Sequence, residues 1–145
     1  MYVFEILAIL CCTVFTGAAV YINVVEHPAR MRCGTELAAT VFAPSYKRAA
    51  VMQASLAVLS TLAAVACWLL GAGVLWLVGA LLIFSVIPFT LIVIMPTNKQ
   101  LLDPALNRSS ASTHALLVKW GNLHAVRSLL SLIASVIFVV LAIRD

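Results

Sequence analysis

Charged residues make up 10% of the 145-residue chain, against about 25% in an ordinary soluble domain. Only five are acidic, so a soluble globular fold is excluded. One carboxylate, Glu5, falls inside an apolar run, near its outer end. Small exporters that couple to protons place a carboxylate deeper in the membrane, so that function is disfavoured. The four cysteines, Cys11, Cys12, Cys33 and Cys67, form no Cys-x-x-Cys pair. A membrane thiol oxidoreductase needs paired, accessible cysteines. Within apolar runs a cysteine acts as a small hydrophobe. The N-terminus has no basic stretch ahead of its first apolar run, which reads as a helix and not a cleavable signal. No heptad pattern, low-complexity tract or long repeat is evident.

What the chain has instead is hydrocarbon. Hydrophobic residues make up 64% of it. Four apolar runs, at roughly 3–25, 49–70, 74–95 and 121–143, are each long enough to span a bilayer. The predicted fold is all-α: a four-helix up-down bundle forming a single transmembrane domain over 1–145, with a polar pocket at its cytoplasmic end. Pro28 is expected to end the first helix, and Pro96-Thr97-Asn98-Lys99 the third. The segment Thr35–Lys47 reads as a plain loop or as a short interfacial helix broken near Pro44. Small residues of the second helix, among them Ala50, Ala54 and Ala57, permit close helix packing. Pro88 is expected to kink the third helix. The fourth begins near Ser112 in the interface.

Lys and Arg collect on two connections. Arg30, Arg32, Lys47 and Arg48 surround the first, and Lys99, Arg108 and Lys119 the third. The second, Gly71-Ala72-Gly73, has none. This asymmetry places the first and third connections in the cytoplasm and both termini outside it. The net charge of +4 is then a topology signal with anionic-lipid contact. Nucleic-acid binding is not expected.

The polar residues left over gather at one depth. Helix one brings Tyr21, Asn23, Glu26, His27 and Arg30 to its cytoplasmic end. Helix four opens with Trp120, His124 and Arg127. Asn23, His27 and Arg30, like Trp120, His124 and Arg127, share a helical face at i, i+4, i+7 spacing. The pattern His-x-x-Arg thus occurs twice, and up-down topology brings both copies to one membrane face. Gln53, Thr90, Thr97 and Asn98 lie near that level. Each residue also has an ordinary reading. A single interfacial His or Arg can rest its polar tip among headgroups, Glu26 can pair with Arg30 at i, i+4, and Asn98 can cap a helix end. The coincidence of two such faces at costly depth is what favours a site, located between helices one and four.

His27-Pro28, Pro96-Thr97-Asn98-Lys99 and Trp120-x-x-x-His124-x-x-Arg127 together resemble the anthrone oxygenase-like family of small four-helix membrane proteins. Within it the chain looks more like the bacterial branch, which implies a bacterial inner membrane. Fungal members are implicated in oxidising polyketide anthrones to anthraquinones with dioxygen. The resemblance implies an oxygenase acting on a flat, hydrophobic phenolic or anthrone-type small molecule. A neutral imidazole can take the acidic C–H proton and a guanidinium can stabilise the oxyanion, so no cofactor is strictly required. The expected roles are His124 as base, His27 as second acid/base, Arg127 as oxyanion partner and Asn98 as orienting donor. Trp120, Arg30, Tyr21, Asn23 and Gln53 are expected to contact substrate.

Two alternatives stay open. His27, His124 and Glu26 could form a two-His, one-carboxylate iron site, or the two histidines could ligate haem; adjacent residues on a helix point about 100° apart, however. The chain could also be a transporter or an accessory subunit within a larger membrane complex or homo-oligomer.

Overall fold

The computed structural model describes residues 1–144. Four helices account for nearly all of them: α1 Tyr2–Arg32, α2 Thr35–Leu69, α3 Val74–Leu101 and α4 Ala111–Arg144. Each is long and apolar enough to cross a membrane. No strand occurs among the described residues. Large aliphatic side chains such as Leu10, Leu62, Leu81, Ile92 and Leu129 face outwards around the bundle. Such a surface is stable only in lipid, and the chain is an integral membrane protein.

Sequential helices pack as neighbours, and α1 closes the ring against α4. Connections this short leave antiparallel neighbours as the only arrangement. At the α2–α3 hairpin, Gly73 takes a positive φ of 106°, which a side chain would resist.

Two of the prolines expected to end helices do not. A proline lacks the N–H for the i→i−4 bond, and its ring crowds the carbonyl one turn back. Here each conflict is relieved by a π-turn just upstream. In α1 the π-turn covers Ile22–Glu26, and the His27 N–H donates to Ile22 O. In α3 it covers Thr90–Ile94, and the Met95 N–H donates to Thr90 O. Pro28 and Pro96 then sit near the start of renewed α-helix, where a missing donor costs little. Thus α1 runs on past Pro28, α3 runs on past Pro96, and Thr35–Lys47 is the first part of α2, continuous through Pro44. These extensions carry Arg30 and the Phe42–Tyr46 stretch onto the polar end of the bundle.

Two apolar cores stabilise it. One, around Phe15, Ala63, Trp76, Ile83 and Phe138, fills the end near the α2–α3 hairpin; there the Trp76 and Phe138 rings stack at 5.3 Å. The other, around Ile22, Phe42, Ile94, Leu117 and Trp120, fills the opposite end.

Candidate active site

A cavity of about 210 Å³ lies within the bundle, lined from all four helices. Its wall includes Phe15, Ile22 and Arg30 of α1; Phe42, Tyr46, Ala50, Gln53, Ala54 and Ala57 of α2; Val86, Thr90 and Leu91 of α3; and Trp120, His124 and Arg127 of α4. The site is therefore wider than a seam between α1 and α4. The small residues of α2 do more than allow close packing: Ala50, Ala54 and Ala57 form a shallow wall, so the space remains open.

His124 is the best-anchored polar group, with 1% of its surface exposed. Its Nδ1 lies 2.7 Å from Asn23 Oδ1. Asn23 Nδ2 donates to the backbone carbonyl of Gly121 at 3.0 Å, and Ser128 Oγ donates to Asn23 Oδ1. This set has one self-consistent assignment. Turning the amide over would set Oδ1 against the Gly121 carbonyl, acceptor against acceptor. With Oδ1 towards the ring, Nδ1 must carry the proton. Among the described residues the Nε2 lone pair has no partner, on a residue that lines the cavity.

Arg127 donates from Nη2 to Gln53 Oε1 at 2.9 Å, and its guanidinium carbon stands 5.5 Å from the centre of the Phe15 ring. Its partners are thus a neutral amide and an aromatic face. Arg30 differs. Its Nη2 lies 3.6 Å from Glu26 Oε1, the single ion pair among the described residues. Glu26 Oε1 also accepts from Ser45 Oγ. Arg30 Nε, Arg127 Nε and Gln53 Nε2 are buried without partners among the described residues. An unpaired buried donor costs about 1–3 kcal/mol.

The other predicted residues divide. Trp120 lines the cavity, its ring centre 4.8 Å from that of His124 and 5.2 Å from that of His27. His27 lies on the far side of this contact and does not line the cavity. It packs against Gly121, where a β-carbon would come within 2.8 Å of the ring. A second acid/base reaching the same ligand is therefore not what the geometry provides. Asn98 is fully buried, and both its amide atoms lack partners, but it is absent from the cavity wall. Tyr21 is exposed, on the outside of α1. Asn23 acts on His124, not on the cavity itself.

The alternative metal sets fare differently from the cavity. Among the described residues, no three His, Cys, Asp or Glu side chains come together. Glu26 is engaged by Arg30 and Ser45, and His124 Nδ1 by Asn23. The Trp120 indole stands against both imidazoles, so a macrocycle held between them would need its space. Two guanidiniums in the wall also oppose a cation.

Ser128, Gly121 and Phe15 are among the contributors that escaped the reading of the sequence. Ser128 follows His124 by four residues and was findable from helical periodicity. Gly121 and Phe15 act through neighbours from another helix, for which no local signal exists.

The family model described as anthrone oxygenase matches residues 42–137, a stretch that takes in Gln53, Asn98, Trp120, His124 and Arg127. Anthrone oxygenase tpcL of Aspergillus fumigatus is 45% identical over 56 residues, which is 37% of this chain and 35% of that protein. The chain thus spans about a third of the length of the relative it matches. No solved structure matches. With two thirds of its length matched by the family model, the chain belongs to the anthrone oxygenase family.

Proposed function

We propose that the cavity oxidises a flat, apolar anthrone-type substrate with dioxygen, and that His124 Nε2 is the base. The observation that carries this reading is the Asn23 clamp. It keeps the proton on Nδ1 and leaves a lone pair on a buried ring that lines the cavity. An anthrone methylene lies between two aromatic rings and opposite a carbonyl. Its proton is acidic because the resulting anion is an aromatic enolate. Removal by a positioned imidazole contributes about 10²–10⁴-fold.

The negative charge of that anion resides largely on the carbonyl oxygen, across the ring from the reacting carbon. Arg127, which has no carboxylate partner, supplies a cation for it. Arg30 adds a second, partly neutralised by Glu26. Phe15 and Trp120 provide aromatic faces for a planar ligand.

The enolate then gives one electron to dioxygen, and the radical pair joins to form a carbon–oxygen bond. The imidazolium returns its proton to the distal oxygen, yielding a hydroperoxide and neutral His124. The second proton leaves the same carbon as the oxygen–oxygen bond breaks and hydroxide departs. Hydroxide takes that proton, so one anthrone and one dioxygen become one anthraquinone and one water. Dioxygen is the oxidant, and its apolar nature favours the membrane interior.

His27 serves a supporting role in this reading, holding Trp120 from behind. The excess of Lys and Arg at the pocket end supports a cytoplasmic orientation for that end, and the family membership supports an oxygenase class.

Oxygen uptake with dithranol in lipid nanodiscs tests the proposal, with the protein-free rate subtracted. Wild-type protein is expected to consume one dioxygen per anthraquinone formed, and His124→Ala to fall to the protein-free rate. Uptake by His124→Ala at the wild-type rate would overturn it.

A further inference from the structure

The cavity is not closed on all sides. Its α1 residues and the Trp120 and His124 side of α4 are buried. Its exposed lining residues are Ala54 of α2 and Leu91 of α3, the latter with 59% of its surface free. Ser45, Tyr46, Ala49 and Ala50 of α2 and Ile87, Thr90 and Met95 of α3, partly buried, continue the same two edges. The open side is therefore the gap between α2 and α3.

These two helices pack closely along Val74–Phe89 and have little contact at the π-turn Thr90–Ile94. They part where Leu91 stands. On the opposite edge of the gap the side chains are single methyl groups, at Ala50 and Ala54. No charge lies at this mouth, because the charged lining residues, Arg30 and Arg127, belong to α1 and α4.

Depth places the mouth in hydrocarbon. From Val74 to Leu91 the helix rises about 26 Å, and from Leu69 back to Ala54 about 22 Å, at about 1.5 Å per residue. Both lie within the roughly 30 Å apolar thickness of a bilayer. Towards the aqueous end three aromatic side chains, Phe42, Tyr46 and Trp120, line the cavity. Phe42 stacks on Tyr46 at 5.6 Å and meets Trp120 edge-on at 5.2 Å.

We propose that the substrate reaches His124 from within the bilayer, through the gap between α2 and α3, with Ala54 and Leu91 at its mouth. The occupant's identity rests on the anthrone reading above: a neutral, planar aromatic that partitions into lipid. It passes an apolar mouth uncharged and becomes an anion only inside, beside Arg127. The wall of small side chains at Ala50 and Ala54 makes the passage a slot that selects for flat molecules.

Two measurements in nanodiscs test this. First, Ala54→Cys, in protein whose four native cysteines are replaced by alanine, is spin-labelled, and its collisions with dioxygen and with a water-soluble nickel chelate are compared. Collision with dioxygen and not with the chelate is expected; free access of the chelate would overturn the membrane route. This result does not depend on what the enzyme oxidises. Second, Ala54→Trp and Leu91→Trp, which fill the mouth, are expected to lower kcat/KM for dithranol about tenfold by slowing association. Val58→Trp, one turn along the lipid-facing side of α2, should leave it unchanged. Unaltered kcat/KM in both mouth variants would contradict the proposal. If wild-type protein neither binds anthraquinone nor oxidises dithranol, the anthrone reading fails, while the spin-label result still decides the mouth.

Discussion

His27 and His124 stand three residues before Arg30 and Arg127, yet they meet different neighbours. His124 lines the cavity and has its Nδ1 bound to Asn23. His27 packs between Trp120 and Gly121, outside the cavity wall. Arg127 is held by a neutral amide and an aromatic ring, whereas Arg30 faces a carboxylate. The two motifs share a spacing and differ in what the other helices bring to them. In the proposed mechanism the cavity-lining His124 and the amide-held Arg127 carry the chemistry, while the packed His27 ring and the paired Arg30 mainly hold shape.

The largest predicted effect separates the two histidines. His124→Gln should lower the turnover of dithranol by about 10²–10⁴-fold, the usual worth of a general base. His27→Gln should cost less than about tenfold, in keeping with a group that acts through packing. Equal losses in oxygen-uptake assays would erase the distinction between them.

The arginines come next. Arg127→Gln should reduce kcat by about 10²–10³-fold, as for loss of an oxyanion donor. Arg30→Gln should reduce it by a smaller factor, since Glu26 already offsets that charge. A reversed order, measured as kcat for the two variants, would make Arg30 the oxyanion partner.

Asn23→Leu frees His124 to exchange tautomers and leaves the Gly121 carbonyl without its side-chain donor. A loss of about 1.4 kcal/mol of transition-state stabilisation, read as roughly a tenfold fall in kcat with KM little changed, is expected. A change confined to KM would show Asn23 contacting substrate instead.

The smallest effect concerns stability. Gly121→Ala drives a β-carbon against the His27 ring and should cost about 1–3 kcal/mol, visible as a lower Tm. Combining it with His27→Ala should recover most of that loss. A double variant as unstable as Gly121→Ala alone would place the clash elsewhere.

Much of this architecture was legible in the sequence, because hydrocarbon thickness sets the length of an apolar run and Lys and Arg mark its ends. The membrane spans, the up-down order and the level of the polar residues all followed from that. The helix ends at Pro28 and Pro96 did not, since a π-turn can absorb a proline at no visible sequence cost. Helical periodicity put His124 and Arg127 on one face of α4, and topology put Gln53 near their level, but the hydrogen bond between Arg127 and Gln53 was not foreseen. The different environment of His27, the absence of Asn98 from the cavity wall and the exposed lining position of Ala54 were not foreseen either. Each depends on which side chains three other helices present, and residue spacing along one helix carries no such information.

The proposed chemistry turns on Asn23 holding the His124 proton on Nδ1 and leaving Nε2 free. Nitrogen-15 NMR of protein labelled at histidine reads this directly, with His27→Gln and His114→Gln leaving one signal to assign. A neutral ring protonated at Nδ1 is expected with Asn23 in place, and a mixture of tautomers once Asn23→Leu is added. A ring protonated at Nε2, unchanged by Asn23→Leu, would contradict it.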